Sequence, residues 1–97
     1  MSDRPDPQAE PIDVHHVLAV MLEQLAEIAW QKLGLRPDPF TQRIHRDLAQ
    51  AKVAVDTVAA VAAQLEPSLD DEDRRQIQNL VRDLKVNYVQ KVSESPA

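Results

Sequence analysis

Residues 33–67 read LGLRPDPFTQRIHRDLAQAKVAVDTVAAVAAQLEP, and the order of breaks and pattern in them decides the fold. Gly34, the only glycine in the chain, follows Leu33 and precedes Leu35, with Pro37 soon after. That order marks a helix end capped by a left-handed residue, where glycine carries no Cβ penalty. Asp38-Pro39 then reads as a new start, with proline at the first helical position, where its missing N–H costs nothing. Phe40, Ile44, Leu48, Ala51, Val55, Val58, Ala62 and Leu65 follow as one apolar stripe, and Pro67 stops it. The expected second helix is about 26 residues, or roughly 39 Å at 1.5 Å per residue.

Upstream, Asp13 is placed to cap a first helix over about Val14 to Leu33. Val14, Leu18, Met21, Leu25 and Ile28 alternate at spacings of four and three, and Val17, Leu22 and Ala29 widen the stripe. Downstream, Ser68, Asp70, Asp71, Glu72 and Asp73 crowd the start of a third helix, where the macrodipole favours negative charge. Ile77, Leu80, Val81, Leu84, Tyr88 and Val92 form its expected buried face, and Lys85 and Lys91 sit toward its C-terminal end. Nothing reads as a strand. The predicted fold is all-α: three helices, the first two in a long antiparallel hairpin. A disordered Pro/Asp-rich tail is expected over 1–12, and a single helical domain over 13–97.

Composition narrows the function classes. A chain of 97 residues makes one domain, and its burial is modest unless it associates. The apolar set is aliphatic, with one Phe, one Trp and one Tyr, which suits close helix packing and does not supply a stacking platform for bases. The absence of cysteine removes disulfides, thiolate nucleophiles and every Cys-containing metal site. Val58 to Ala63, an apolar run that none in the chain exceeds, is too short to span a bilayer. No basic start is followed by an apolar run, so a cytoplasmic location is expected and a membrane is not an expected partner. The net charge is −5. Residues 1–13 hold Asp3, Asp6, Glu10 and Asp13 against Arg4, a net of −3, and the near balance of the rest argues against a nucleic-acid-binding face.

Candidate sites are sparse. His15 and His16 are adjacent, so they point about 100° apart on a helix and share a ligand poorly. His45 belongs to another segment, and no His-x-x-x-His pair exists. Asp70 to Asp73 lack the spacing and central glycine of a calcium loop. No catalytic residue, metal ligand or cofactor is expected. Lys32, Arg36, Arg43, Arg46 and Lys52, set against Asp38 and Asp47, make a mild basic patch around the first helix–helix connection. Arg36, Arg43, Arg46 and Lys52 are therefore candidates for meeting an acidic partner or RNA. Without interleaved aromatics, a solvated face is the simpler reading, and nucleic acid is a secondary expectation. Lys52 and Asp56 stand four apart, a spacing worth tenths of a kcal/mol.

Leu33-Gly34, then Asp47-Leu48 with Ala51-Lys52 and Val55-Asp56, then Leu69 with Glu72, and finally Asp83-Leu84-Lys85 with Tyr88-Val89 form an ordered set. Through these pieces the stretch from about Val17 to Val92 resembles a bacterial family known only as domain of unknown function 1844. That family commonly has a Lys-Thr and Gly-Asn connection before its third helix, where this chain has Leu65-Glu66-Pro67-Ser68. The resemblance implies a helical fold and brings no activity.

What remains is surplus apolar surface. Val53 and Val61 lie off the Phe40–Leu65 stripe, Val86 and Val89 off the Ile77–Tyr88 face, and Val20 and Trp30 off the Val14–Ile28 face. Val53, Val61, Val86 and Val89 are thus candidate interface residues. The expected function is a non-enzymatic interaction module, forming a homo-oligomer, in the simplest case a dimer, or an adaptor for an unidentified protein partner. The alternative is a nucleic-acid- or ribosome-associated factor using the basic patch.

Overall fold

In the computed structural model, which describes residues 7–94, three helices follow one another: α1 (Val14–Lys32), α2 (Leu48–Leu65) and α3 (Asp71–Glu94), with a 3-10 turn, Glu66–Ser68, before the last. The described residues contain no strand, so the fold is all-α. Positions 1–6 of the expected tail and 95–97 of the expected domain lie outside the described residues; residues 7–12 are exposed and carry no helix.

Local chemistry sets the ends of α1. The Asp13 carboxylate accepts the His15 backbone N–H at 2.9 Å, satisfying one of the orphan donors of the first turn. At the far end, the Gly34 N–H donates to the Gln31 carbonyl and the Leu35 N–H to the Trp30 carbonyl, both at 3.0 Å. Gly34 has φ +82°, so this is the Schellman cap expected from its place in the sequence.

The second helix corrects the sequence reading. It begins at Leu48, not Pro39, and has 18 residues. Asp38 does cap something, but only a single turn. Its carboxylate accepts the N–H groups of Phe40 (2.7 Å) and Thr41 (3.1 Å), and its carbonyl accepts that of Gln42 (2.7 Å). Gln42 then takes φ 61°, a left-handed conformation that cannot continue a helix. The true start is Asp47, whose side chain accepts the Gln50 N–H at 3.1 Å while its own N–H donates to the Lys32 carbonyl at 2.9 Å. That last bond ties the start of α2 to the end of α1. Phe40 and Ile44, expected in the core stripe, lie in this loop and are 94% and 55% exposed.

Leu22, Ala26, Ala29 and Leu33 from α1 and its cap, six residues of α2 (Ala51, Ala54, Val55, Val58, Ala62, Leu65) and Leu84 of α3 are the buried core. Alanines on both helices let α1 and α2 approach closely, and these two share the most extensive packing. α3 rests chiefly on α2 and touches α1 little. Ile77, Leu80, Val81 and Tyr88 of α3 are half-buried against the core, while Val92 is exposed. By length and composition alone, Leu48–Ser68 is apolar enough to cross a membrane, and a third of that stretch is buried within the fold.

The result is an open arrangement rather than a closed bundle. Its extents are 58 × 35 × 18 Å and its radius of gyration is 16.8 Å. A compact domain of this length has a radius near 13 Å.

Candidate interaction surface

On α1 the buried row Leu22–Ala26–Ala29–Leu33 takes in Leu22 and Ala29, which widen the expected stripe, but is not centred on the main stripe that the spacing predicts. At 100° per residue it lies about 90° around the helix from the Val14–Leu18–Met21–Leu25–Ile28 row. The expected core stripe is largely open: Val14, Val17, Met21 and Ile28 are exposed, and Leu18 and Leu25 are half-buried. α1 therefore carries two apolar rows, one buried against α2 and one partly open, with Leu18 and Leu25 resting against the core and Val14, Met21 and Ile28 exposed.

The open row borders α2. Leu25 and Ile28 line a groove of about 290 Å³ with Gln50, Val53, Ala54 and Thr57, and Val53 at its edge is 67% exposed. α3 approaches α1 from the other side of the buried row, where Ala19, Leu22 and Glu23 meet Gln76, Ile77 and Leu80. Phe40, the only phenylalanine, sits beside Gln24 and Ile28 with its ring almost wholly in solvent.

A second apolar surface lies between α2 and α3. Ala59, Ala62 and Ala63 face Val81 and Val86 across a groove of about 430 Å³, with Glu66, Arg82 and Lys85 on its rim. Val86 and Val89 are exposed along the α3 side of the molecule. Of the four candidate interface residues, Val53, Val86 and Val89 are open, and Val61 packs half-buried against the core. Val20 is exposed on α1, whereas Trp30 is packed against the core.

The basic patch is mostly engaged within the chain. Arg36 donates to the Glu27 carboxylate of α1. Arg46 lies 3.7 Å from Glu94 at the end of α3, and Lys52 donates to Asp56 at 2.6 Å. Asp56 raises the Lys52 ammonium above the usual lysine range by that hydrogen bond and by its charge. Arg43 shares the loop with them, and its N–H donates to the Thr41 hydroxyl at 3.4 Å.

The acidic run is structural. Asp70 accepts the Asp73 N–H at 2.8 Å as the cap of α3. Arg74 bridges Asp71, the Leu69 carbonyl and the Glu66 carbonyl, pinning the turn to the helix. Among the described residues no group of three or more His, Cys, Asp or Glu side chains is placed to hold a metal ion. His15 lies 3.3 Å from Asp13, away from any second ligand pair.

Sequence reasoning missed the open face of α1 because it assigned that row to the core. The alanines at 26 and 29 were the available signal: small residues mark the side on which two helices come closest. Asp47 followed by Gln50 has the spacing of a capping box, a second start signal that competes with Asp38-Pro39.

Fold and surface together define a small all-helical domain whose features are uncovered apolar rows rather than a reactive cluster. A family model, Domain of unknown function (DUF1844), matches residues 15–90, and the chain belongs to that family. No curated protein and no solved structure matches it.

Proposed function

We propose that this domain is a non-enzymatic helical interaction module that self-associates through its uncovered apolar surface. One observation carries the reading. The chain exposes 7296 Å² for a mass of 10.9 kDa. A compact monomer of that mass exposes roughly 5,600 Å² by the usual surface–mass scaling. The exposed, non-helical stretch 7–13 accounts for part of the excess of roughly 1,700 Å², and the uncovered apolar face of α1 contributes to the remainder. The exposed apolar side chains are contiguous along α1 rather than scattered, which is the distinction that matters for association.

The nucleic-acid reading draws less support, because Arg36, Arg46 and Lys52 already face carboxylates of the same chain. Phosphate contacts would make any such complex strongly salt-dependent.

Sedimentation equilibrium of the full chain at micromolar concentration tests the proposal. A mass above that of one chain, unchanged by moderate salt, is the expected result. A clean monomer mass would remove self-association.

A further inference from the structure

We infer that the partner on the open face of α1 is a second copy of the chain, docked antiparallel about a two-fold axis through Met21. The inference rests on the reading of the domain as a self-associating module and adds the face, the occupant and the direction.

Three features of the page lead there. The first is the repeat. Val14, Leu18, Met21, Leu25 and Ile28 alternate by four and three, the 3.5-residue period of a helix–helix seam. The row also has a centre. Fourteen and twenty-eight, like eighteen and twenty-five, lie nearly symmetrically about Met21. An antiparallel copy therefore sets Val14 against Ile28, Leu18 against Leu25, and Met21 against itself.

The second is the lack of charge. The neighbours on the solvent side of the row are Val17, Gln24 and Gln31, all uncharged. In a two-fold contact a surface meets its own copy, so like charges near the axis would face each other. The α2–α3 groove has Glu66, Arg82 and Lys85 on its rim and would incur that cost. The α1 face keeps its charges away from Met21, with Glu27 beside Ile28 and Lys32 one turn beyond it.

The third is complementarity at the ends, which sets the direction. Among the described residues preceding α1, Glu10 and Asp13 carry a side-chain net of −2. Residues 32–46, which follow it, hold Lys32, Arg36, Arg43 and Arg46 against Asp38; with Arg36 matched to Glu27 and Arg46 to Glu94, Lys32 and Arg43 leave a net of +1. A parallel pair would bring the two acidic stretches together and the two basic loops together. An antiparallel pair lays each acidic stretch beside the other copy's basic loop and also opposes the helix dipoles favourably. The basic loop then has an acidic partner, supplied by the chain itself.

Because the chain has no cysteine, single cysteines report this geometry without background. A disulfide needs Cα atoms within about 7 Å. Under mild oxidation at micromolar concentration, Met21→Cys should form a linked dimer. An equimolar mixture of Val14→Cys with a mass-tagged Ile28→Cys should form the mixed dimer, and Val14→Cys alone should stay unlinked. Helical circular dichroism of each variant should match the parent, since these side chains are exposed. Ready linking of Val14→Cys to itself overturns the antiparallel direction. A parent chain that sediments as a dimer while Met21→Cys stays unlinked overturns this face and leaves the module reading standing. A monomeric parent chain overturns both.

Discussion

The two apolar rows of α1 have the same spacing and opposite fates. Leu22, Ala26, Ala29 and Leu33 are at most 5% exposed; Val14, Val17, Met21 and Ile28 are all above 40%. Hydrophobicity does not separate them, since the open row holds the larger side chains. Size does. Ala26 and Ala29 meet a helix whose buried positions include Ala51, Ala54 and Ala62 beside Val55, Val58 and Leu65, so small residues on both faces let the helices approach closely. Close approach multiplies dispersion contacts along the whole length of both helices. A row of Val, Met and Ile keeps helices further apart and suits a partner that can be released. Periodicity thus finds every apolar face of a helix, and the distribution of small residues ranks them.

The comparison is broken most directly by truncating one residue from each row. Leu22→Ala removes buried methyl groups from a site flanked by alanines that cannot collapse into the gap, and should cost about 2–5 kcal/mol in urea unfolding. Met21→Ala, one residue away and 45% exposed, should leave the unfolding free energy of the monomer within about 0.5 kcal/mol. Its effect should appear as a loss of concentration dependence in Tm, because only the associated form is stabilised by mass action. Equal losses from both variants at high dilution would show that the two rows are not different in kind.

Much of the fold was legible. Gly34 announced the end of α1 because a single residue type suits a left-handed cap, and Asp13 and Asp70 announced starts by the same local logic. The start of α2 was not read correctly, because two Asp positions compete for it. Asp38-Pro39 has good entry chemistry and an apolar residue every fourth place beyond, yet Gln42 turns left-handed and the run ends. Local propensity permits either outcome. The bond from Asp47 to the Lys32 carbonyl, which depends on where α1 ends, selects the second. The candidate surface was legible as a surplus of valines but not as a place. Val53, Val86 and Val89 are open, Val61 is packed against the core, and the most continuous open row is one whose spacing reads as interior.

Both ends of the α1–α2 connection sharpen the contrast at smaller scale. Gly34→Ala places a Cβ at positive φ, with the Arg46 Cβ 3.3 Å and Nε 3.2 Å away. The backbone conformation alone should cost about 1 kcal/mol in denaturant unfolding. The Arg46 Nε can yield by a side-chain shift, but its Cβ moves only with the Arg46 backbone, so the variant should also show a weakened Arg46–Glu94 pair. Asp47→Ala removes the cap of an 18-residue helix and should also cost about 1 kcal/mol. Asp38→Ala should cost less, since it frees one turn of an exposed loop. The reverse order would mean that the loop, not the helix start, holds the connection together.

The smallest expected effect concerns that same turn and its pH dependence. The N–H groups of Phe40 and Thr41 donate to the Asp38 carboxylate and hold its pKa below the ordinary 3.8. A carboxyl group with a depressed folded pKa favours the folded turn at every pH above its unfolded value. That contribution fades as pH falls through the folded pKa, when protonation removes an acceptor charge from both N–H donors. The turn should therefore be unchanged from neutral pH down to about pH 5 and should loosen only below 3.8. Carbon-detected NMR titration of the Asp38 carboxyl, followed alongside the Phe40 and Thr41 amide shifts, measures this at one site. All three signals should share one midpoint below 3.8, while the amides of Ala26 and Ala29 in the buried row stay still. A carboxyl midpoint at or above the ordinary value would show that the Asp38 turn is not held by its side chain. The loop's shape would then rest on Gln42 and the Asp47–Lys32 bond alone.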